Sequence, residues 1–179
     1  NHAGARNFVT MGSTPTLAAR EGAPPAWHFY YFDRPVSLRL DVTRLAIRWN
    51  EDVSSASRLS GLTDQVDASL PLRGWSVPFV DTSLQSQGGI MELVERTAVA
   101  APAAFVSPVF LSESGESIVV SQELIVGFPR GVDEAEANGV LARFGAGELL
   151  ARDWAGMPNV YRLRSAARSG FDVLQTANL

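Results

Sequence analysis

Arg44-Leu45-Ala46-Ile47-Arg48-Trp49 and Glu123-Leu124-Ile125-Val126-Gly127-Phe128 read as one strand written twice, with apolar residues at three matching positions and an offset of 123 − 44 = 79 residues. Each copy is preceded by a hairpin pattern. In the first, Phe29 to Phe32 and Val36 to Leu40 flank a turn at Asp33-Arg34-Pro35; in the second, Val106 to Leu111 and Ile118 to Ser121 flank Glu113-Ser114-Gly115-Glu116. Each copy also leads to a late helix, Ile90-Met91-Glu92-Leu93 answering Phe171-Asp172-Val173-Leu174 at an offset of 171 − 90 = 81. After that helix the first copy runs on into the apolar strand Phe105 to Leu111, whereas the second reaches Leu179. The counterpart strand would fall beyond Leu179, so the second sheet is expected to expose an edge that something else fills. A strand from another copy of the chain, giving a homodimer or swapped assembly, is favoured over Phe29 to Phe32, which the hairpin already uses.

Between these markers the first copy predicts a helix over 54–62 after Asn50-Glu51-Asp52 and strands over 65–72 and 75–80, broken at Arg73-Gly74. A helix over 90–99 carries Ile90, Leu93, Val94 and Thr97 at helical spacing, and the strand over 105–111 closes the module. The second copy predicts a turn at Pro129-Arg130-Gly131 and a helix over 133–144, capped by Asp133 with Glu136 three residues on and ended by Gly145 and Gly147. Strands over 148–154 and 159–164 around Gly156-Met157-Pro158, then a helix over 170–179, complete it. With right-handed crossovers, β-α-β-β-α-β gives a four-stranded antiparallel sheet with two helices on one face. The expected class is therefore α+β, as two tandem ferredoxin-like modules, the second lacking its last strand. Residues 27–112 make the first and 113–179 the second. Residues 1–26, rich in Gly, Ser, Thr, Pro and Ala without periodicity, read as a flexible leader.

The composition, 46% hydrophobic and 19% charged, is that of a globular chain. All 15 basic residues are arginine, the habit of a GC-rich bacterial genome. A net charge of −4 argues against nucleic acid, whose phosphates call for a basic stripe. The absence of Cys removes disulfides, thiolate catalysis and Cys-type metal sites. No apolar run approaches the roughly 20 residues that span a bilayer, so no membrane partner is expected. No signal peptide is visible, and Asn1-His2-Ala3-Gly4 reads as a processed or added end.

Imidazole chemistry is confined to His2, in the leader, and His28, whose place in Trp27-His28-Phe29-Tyr30-Tyr31 reads as strand packing, with no matched nucleophile and acid. The pairs Glu92/Glu95 and Glu134/Glu136 read as solvated helix faces. Gly88-Gly89 and Gly145-Ala146-Gly147 lack the Lys-Ser/Thr of a phosphate loop and read as turns. No catalytic, metal or cofactor-binding residue is assigned. What remains is a surface. Arg162 and Arg164 alternate with Tyr161 and Leu163, which directs both guanidinium groups away from the helices; Ile125 and Trp154 are assigned to the same partner-facing side.

The second copy, from Phe105-Val106-Ser107-Pro108-Val109-Phe110 through Glu123 to Phe128, Phe144-Gly145-Ala146 and Val160-Tyr161-Arg162-Leu163-Arg164, resembles the N-terminal pro-regions of secreted bacterial subtilisin-like serine proteases. The resemblance extends over 27–179 when the first copy is counted, and rests on short hydrophobic blocks. It implies a non-catalytic, extracytoplasmic propeptide that assists folding of the downstream catalytic domain and inhibits it, laying its sheet on that domain while a C-terminal tail fills the cleft. No residue present can be assigned to such a tail. The alternative is a free-standing interaction or assembly module that recruits a strand at its open edge. A small enzyme on the same scaffold ranks third, because the residue cluster it needs is missing.

Overall fold

The computed structural model describes residues 8–10, 27–31, 34–49, 59–70, 72–100 and 103–178. In chain order the elements are β1 (Phe8–Thr10), β2 (His28–Tyr31), β3 (Arg34–Ser37), β4 (Arg39–Trp49), β5 (Leu62–Val66), β6 (Trp75–Ser76), β7 (Pro78–Val80), α1 (Gln87–Val99), β8 (Ala103–Leu111), β9 (Ser117–Val119), β10 (Glu123–Gly127), α2 (Glu134–Arg143), β11 (Glu148–Ala151), β12 (Val160–Arg164) and α3 (Gly170–Ala177). The class is α+β, as the sequence predicts. Two compact units are assembled from interleaved stretches. Unit 1 takes Asn1–Leu38, Ser121–Ala166 and Val173–Leu179; unit 2 takes Arg39–Val120 and Ala167–Asp172.

In unit 2 the strands run in the order β5-β7-β4-β8-β9, with β6 also against β4. Three consecutive residues of β4, Leu45, Ala46 and Ile47, are fully buried, which is only achievable where both faces of a sheet are covered. Leu45 and Ile47 join Ile90, Leu93 and Val94 of α1, with Val80 and Val106. Ala46, on the reverse face, joins Val77, Val109 and Val119 beneath Leu70, Leu72 and Trp75. Helix α1 starts where Ser86 accepts the Gly89 N–H at 3.0 Å.

The start of the helix expected over 54–62 lies outside the described residues, and its end is corrected. Leu59–Gly61 turn, Leu62 opens β5, and Gly61 sits at φ 95, a conformation closed to most side chains. The strand expected over 65–72 stands earlier, over 62–66. Asp67 ends it by accepting the Ser69 N–H at 2.9 Å, which turns the backbone.

Unit 1 has the order β1-β10-β12-β11. Burial alternates along β12, where Tyr161 and Leu163 are buried, whereas on β10 the three consecutive residues Leu124, Ile125 and Val126 are all buried. The helices contribute Ala137 and Leu141 from α2 and Val173, Leu174 and Ala177 from α3. Asp133 caps α2 as expected, accepting the Glu136 N–H at 2.8 Å. The hairpin of β2 and β3, His28 opposite Ser37 through Tyr31 opposite Arg34, also belongs to this unit. Strand β11 stops at Ala151, short of the expected Trp154. The cause is a run of left-handed residues, Asp153 (φ 46), Ala155 (φ 56), Gly156 (φ 77) and Asn159 (φ 59), that no strand can contain.

The edge of β10 that the repeat leaves open carries β1, in parallel, with Phe8, Val9 and Thr10 opposite Ile125, Val126 and Gly127. These three residues belong to the stretch expected as a flexible leader. The rest of 1–26 lies outside the described residues.

Candidate partner-binding sheet face

The alternation that buries Leu124, Val126, Tyr161 and Leu163 sends the intervening side chains to the other side of unit 1's sheet. Antiparallel partners share a face, and the register sets Glu123 opposite Arg164, Ile125 opposite Arg162, and Glu148 also opposite Arg164. Four charges therefore stand in a band across three strands. Arg162 donates to one carboxylate oxygen of Glu123 from Nε at 2.9 Å and from Nη2 at 2.6 Å. Arg164 lies 3.6 Å from Glu148. These side chains are well exposed, 39% and 38% for the first pair and 54% and 68% for the second, so each pair contributes about 1 kcal/mol or less. The band is electrically balanced and loosely tied. A partner carboxylate has only a weak internal competitor for either guanidinium.

Of the four surface residues singled out in the sequence, Arg162 and Arg164 fall together on this band. Ile125 shares the face but is 6% exposed, so the face is covered at this point of β10 and Ile125 offers little area of its own. Trp154 leaves the sheet altogether and sits in the turn of 3-10 type at Trp154–Gly156. His28 is buried, with its ring edge-to-face on Tyr30 at 5.2 Å, and its carbonyl accepts from Asn178 Nδ2 at 2.9 Å. Among the described residues no group of three or more His, Asp or Glu could hold a metal ion, and no helix is long and apolar enough to cross a membrane.

The strongest electrostatic feature of unit 2 is not among the residues expected from the sequence. Arg44 donates from Nε (2.8 Å) and Nη2 (2.5 Å) to Asp41, from Nη1 to Asp67 (2.5 Å), and from Nη2 to the Ser117 hydroxyl (3.0 Å). Each aspartate is further held by the residue two positions on. Asp41 accepts the N–H and hydroxyl of Thr43 at 2.9 and 2.6 Å, and Asp67 accepts those of Ser69 at the same distances.

Burial opposes ionisation of Asp41, but the bonds from Thr43 and Arg44 outweigh it and hold the carboxyl below its ordinary value. Asp67 is held low by the Ser69 hydroxyl first and by Arg44 second. Arg44 is raised, the two aspartates outweighing its own burial. The available signal was the repeated triplet Asp-x-Ser/Thr at Asp41-Val42-Thr43 and Asp67-Ala68-Ser69. With four bonds from Arg44 and every carboxylate oxygen of Asp41 and Asp67 engaged, the arrangement ties β4 to the turn after β5 and to β9, a structural clasp.

No family model, no curated protein and no solved structure matches this chain.

Proposed function

We propose that this chain is the non-catalytic pro-region of a secreted bacterial subtilisin-like serine protease, which binds the catalytic domain of its precursor, assists its folding and inhibits it. The observation that carries the reading is the band of Glu123, Arg162, Arg164 and Glu148 on the face of unit 1's sheet opposite its apolar core. A sheet face that carries exposed, loosely paired arginines along β12 is suited to lie on another protein's surface. In unit 2 the corresponding face is covered by Leu70, Leu72 and Trp75, so the two copies of the repeat have separate tasks, one to dock and one to brace.

Tandem ferredoxin-like topology is part of the proposal. It is supported by strand orders in which the repeated strand, β4 or β10, lies beside the third strand of its module, with the second strand at the edge. The four charged residues act as a docking set, without a cofactor.

The test is refolding of a denatured subtilisin-like catalytic domain from the same precursor, with and without this chain, while proteolysis of a peptide substrate is followed. The chain is expected to raise the refolded yield and to depress the activity of the mature enzyme. Arg162→Ala with Arg164→Ala should weaken both effects about tenfold, a change of roughly 1.4 kcal/mol in binding, with the melting temperature held. If the chain changes neither yield nor activity at micromolar concentration, the pro-region reading is wrong.

A further inference from the structure

The strands beside β4 and β10 differ in a way the repeat makes measurable. Beside β4, strand β8 runs antiparallel from Arg39 opposite Leu111 to Trp49 opposite Ala103. Beside β10, strand β1 runs parallel, and its described residues Phe8, Val9 and Thr10 pair with Ile125, Val126 and Gly127. Parallel pairing is slightly weaker per residue than antiparallel pairing. The same position is thus filled by an antiparallel strand in one copy and by the weaker parallel pairing in the other.

We propose that β1 is a displaceable guard on an acceptor edge, and that this edge takes an extended, alternately apolar peptide segment antiparallel to β10, in the register that β8 adopts on β4. The offset of 79 turns β4's pairings into a map. Leu45, Ala46, Ile47 and Arg48 face Pro108, Ser107, Val106 and Phe105, so Leu124, Ile125, Val126 and Gly127 would face the same four residue types in the incoming strand.

The side-chain chemistry fits. Val106 opposite Ile47 belongs to the core under α1, and the matching residue opposite Val126 would lie on the side of Leu124, Val126, Tyr161 and Leu163. A proline in the segment is acceptable, because the newcomer would be an edge strand. The occupant is a segment of this chemistry from a partner protein. The inference concerns the edge of the sheet and the pro-region reading its face, so either can fail while the other stands.

The experiment uses the full chain and a fluorescent synthetic peptide of sequence Ala103 to Leu111 with a solubilising tag. Because the chain has no Cys of its own, Thr10→Cys with Gly127→Cys places two thiols at register partners of β1 and β10. Paired strands lie about 4.8 Å apart, within disulfide range. The reduced form should bind the peptide, with amide shifts at Leu124 to Gly127, and the oxidised form should bind about tenfold more weakly or not at all, recovering on reduction.

Val9→Pro, which weakens β1 without a cross-link, should bind more tightly than the parent chain. Equal binding by oxidised and reduced forms would overturn the proposal, as would equal binding of a scrambled peptide. So would a lack of binding by both the reduced form and Val9→Pro. A Val9→Pro dimer that the peptide fails to dissociate would assign the edge to a second copy of the chain, also overturning it.

Discussion

Replacing Arg44 by Met removes the cation that bridges Asp41 and Asp67 while keeping the length of the apolar stem. The three side chains are 14%, 10% and 12% exposed, so two carboxylates would be left facing one another with little water. Removing one partner of a fully buried pair costs about 3–5 kcal/mol, most of it the penalty for the stranded charge. Here some water reaches the site and each aspartate keeps its bonds to Thr43 or Ser69, which brings the expected loss to about 2–3 kcal/mol. Adding Asp41→Asn and Asp67→Asn removes the stranded charges and should recover most of that loss.

The sign of the pH dependence separates the charge account from simple loss of packing. Both carboxyls are held below the ordinary 3.8 in the parent chain, so their stabilisation is present above about pH 4 and is lost as pH falls through their lowered values. In Arg44→Met the same carboxyls repel and should titrate higher, so the penalty is largest at neutral pH and shrinks on acidification. Urea unfolding followed by tryptophan fluorescence, with Trp27 and Trp154 changed to Phe so that Trp49 and Trp75 of unit 2 report, measures this. A loss under about 0.5 kcal/mol, or one that is flat between neutral pH and pH 4, would refute the reasoning.

Three further outcomes follow from single contacts. Gly88→Ala should stabilise α1 by up to about 1 kcal/mol, since nothing lies within 4 Å of the new methyl, whereas Gly89→Ala should destabilise it, the methyl running into the backbone of Leu84; paired thermal melts decide. Ser107→Ala should cost about 1–3 kcal/mol, because the buried hydroxyl accepts the Val120 N–H at 3.1 Å and nothing replaces it; the Val120 amide should also lose hydrogen-exchange protection. Asp133→Ala should cost about 1 kcal/mol by uncapping α2, read as a lower urea midpoint for unit 1.

The α+β class, the late helices and the capped start of α2 were legible because each rests on local pattern: periodicity in 90–99, Asp133 with Glu136, Gly145 and Gly147 after the helix. The band on unit 1's sheet was half legible. Alternation around Tyr161 and Leu163 gave the side on which Arg162 and Arg164 stand, but their carboxylate partners come from other strands, and only register reveals them. Trp154 was misassigned because non-glycine residues, Asp153 and Ala155, adopt the left-handed conformation that breaks the strand, and no propensity announces that. The clasp of Arg44 was hidden for the opposite reason. Its triplets are short and common, and they acquire meaning only when β4 and the turn after β5 meet.

The place of β1 also sets a timetable. Pairing Phe8 with Ile125 closes a loop of 125 − 8 = 117 residues, whereas pairing Ile125 with Arg162 closes one of 162 − 125 = 37. The longer closure costs about 1 kcal/mol more in chain entropy for a strand of three residues. Strands β10, β12 and β11 should therefore assemble first and β1 arrive last. Every molecule of this chain would then pass through an interval in which a finished sheet stands with its β10 border unattended. Whichever strand reaches that border during the interval, β1 or a competitor, is chosen by a race of rates before the final stabilities are felt.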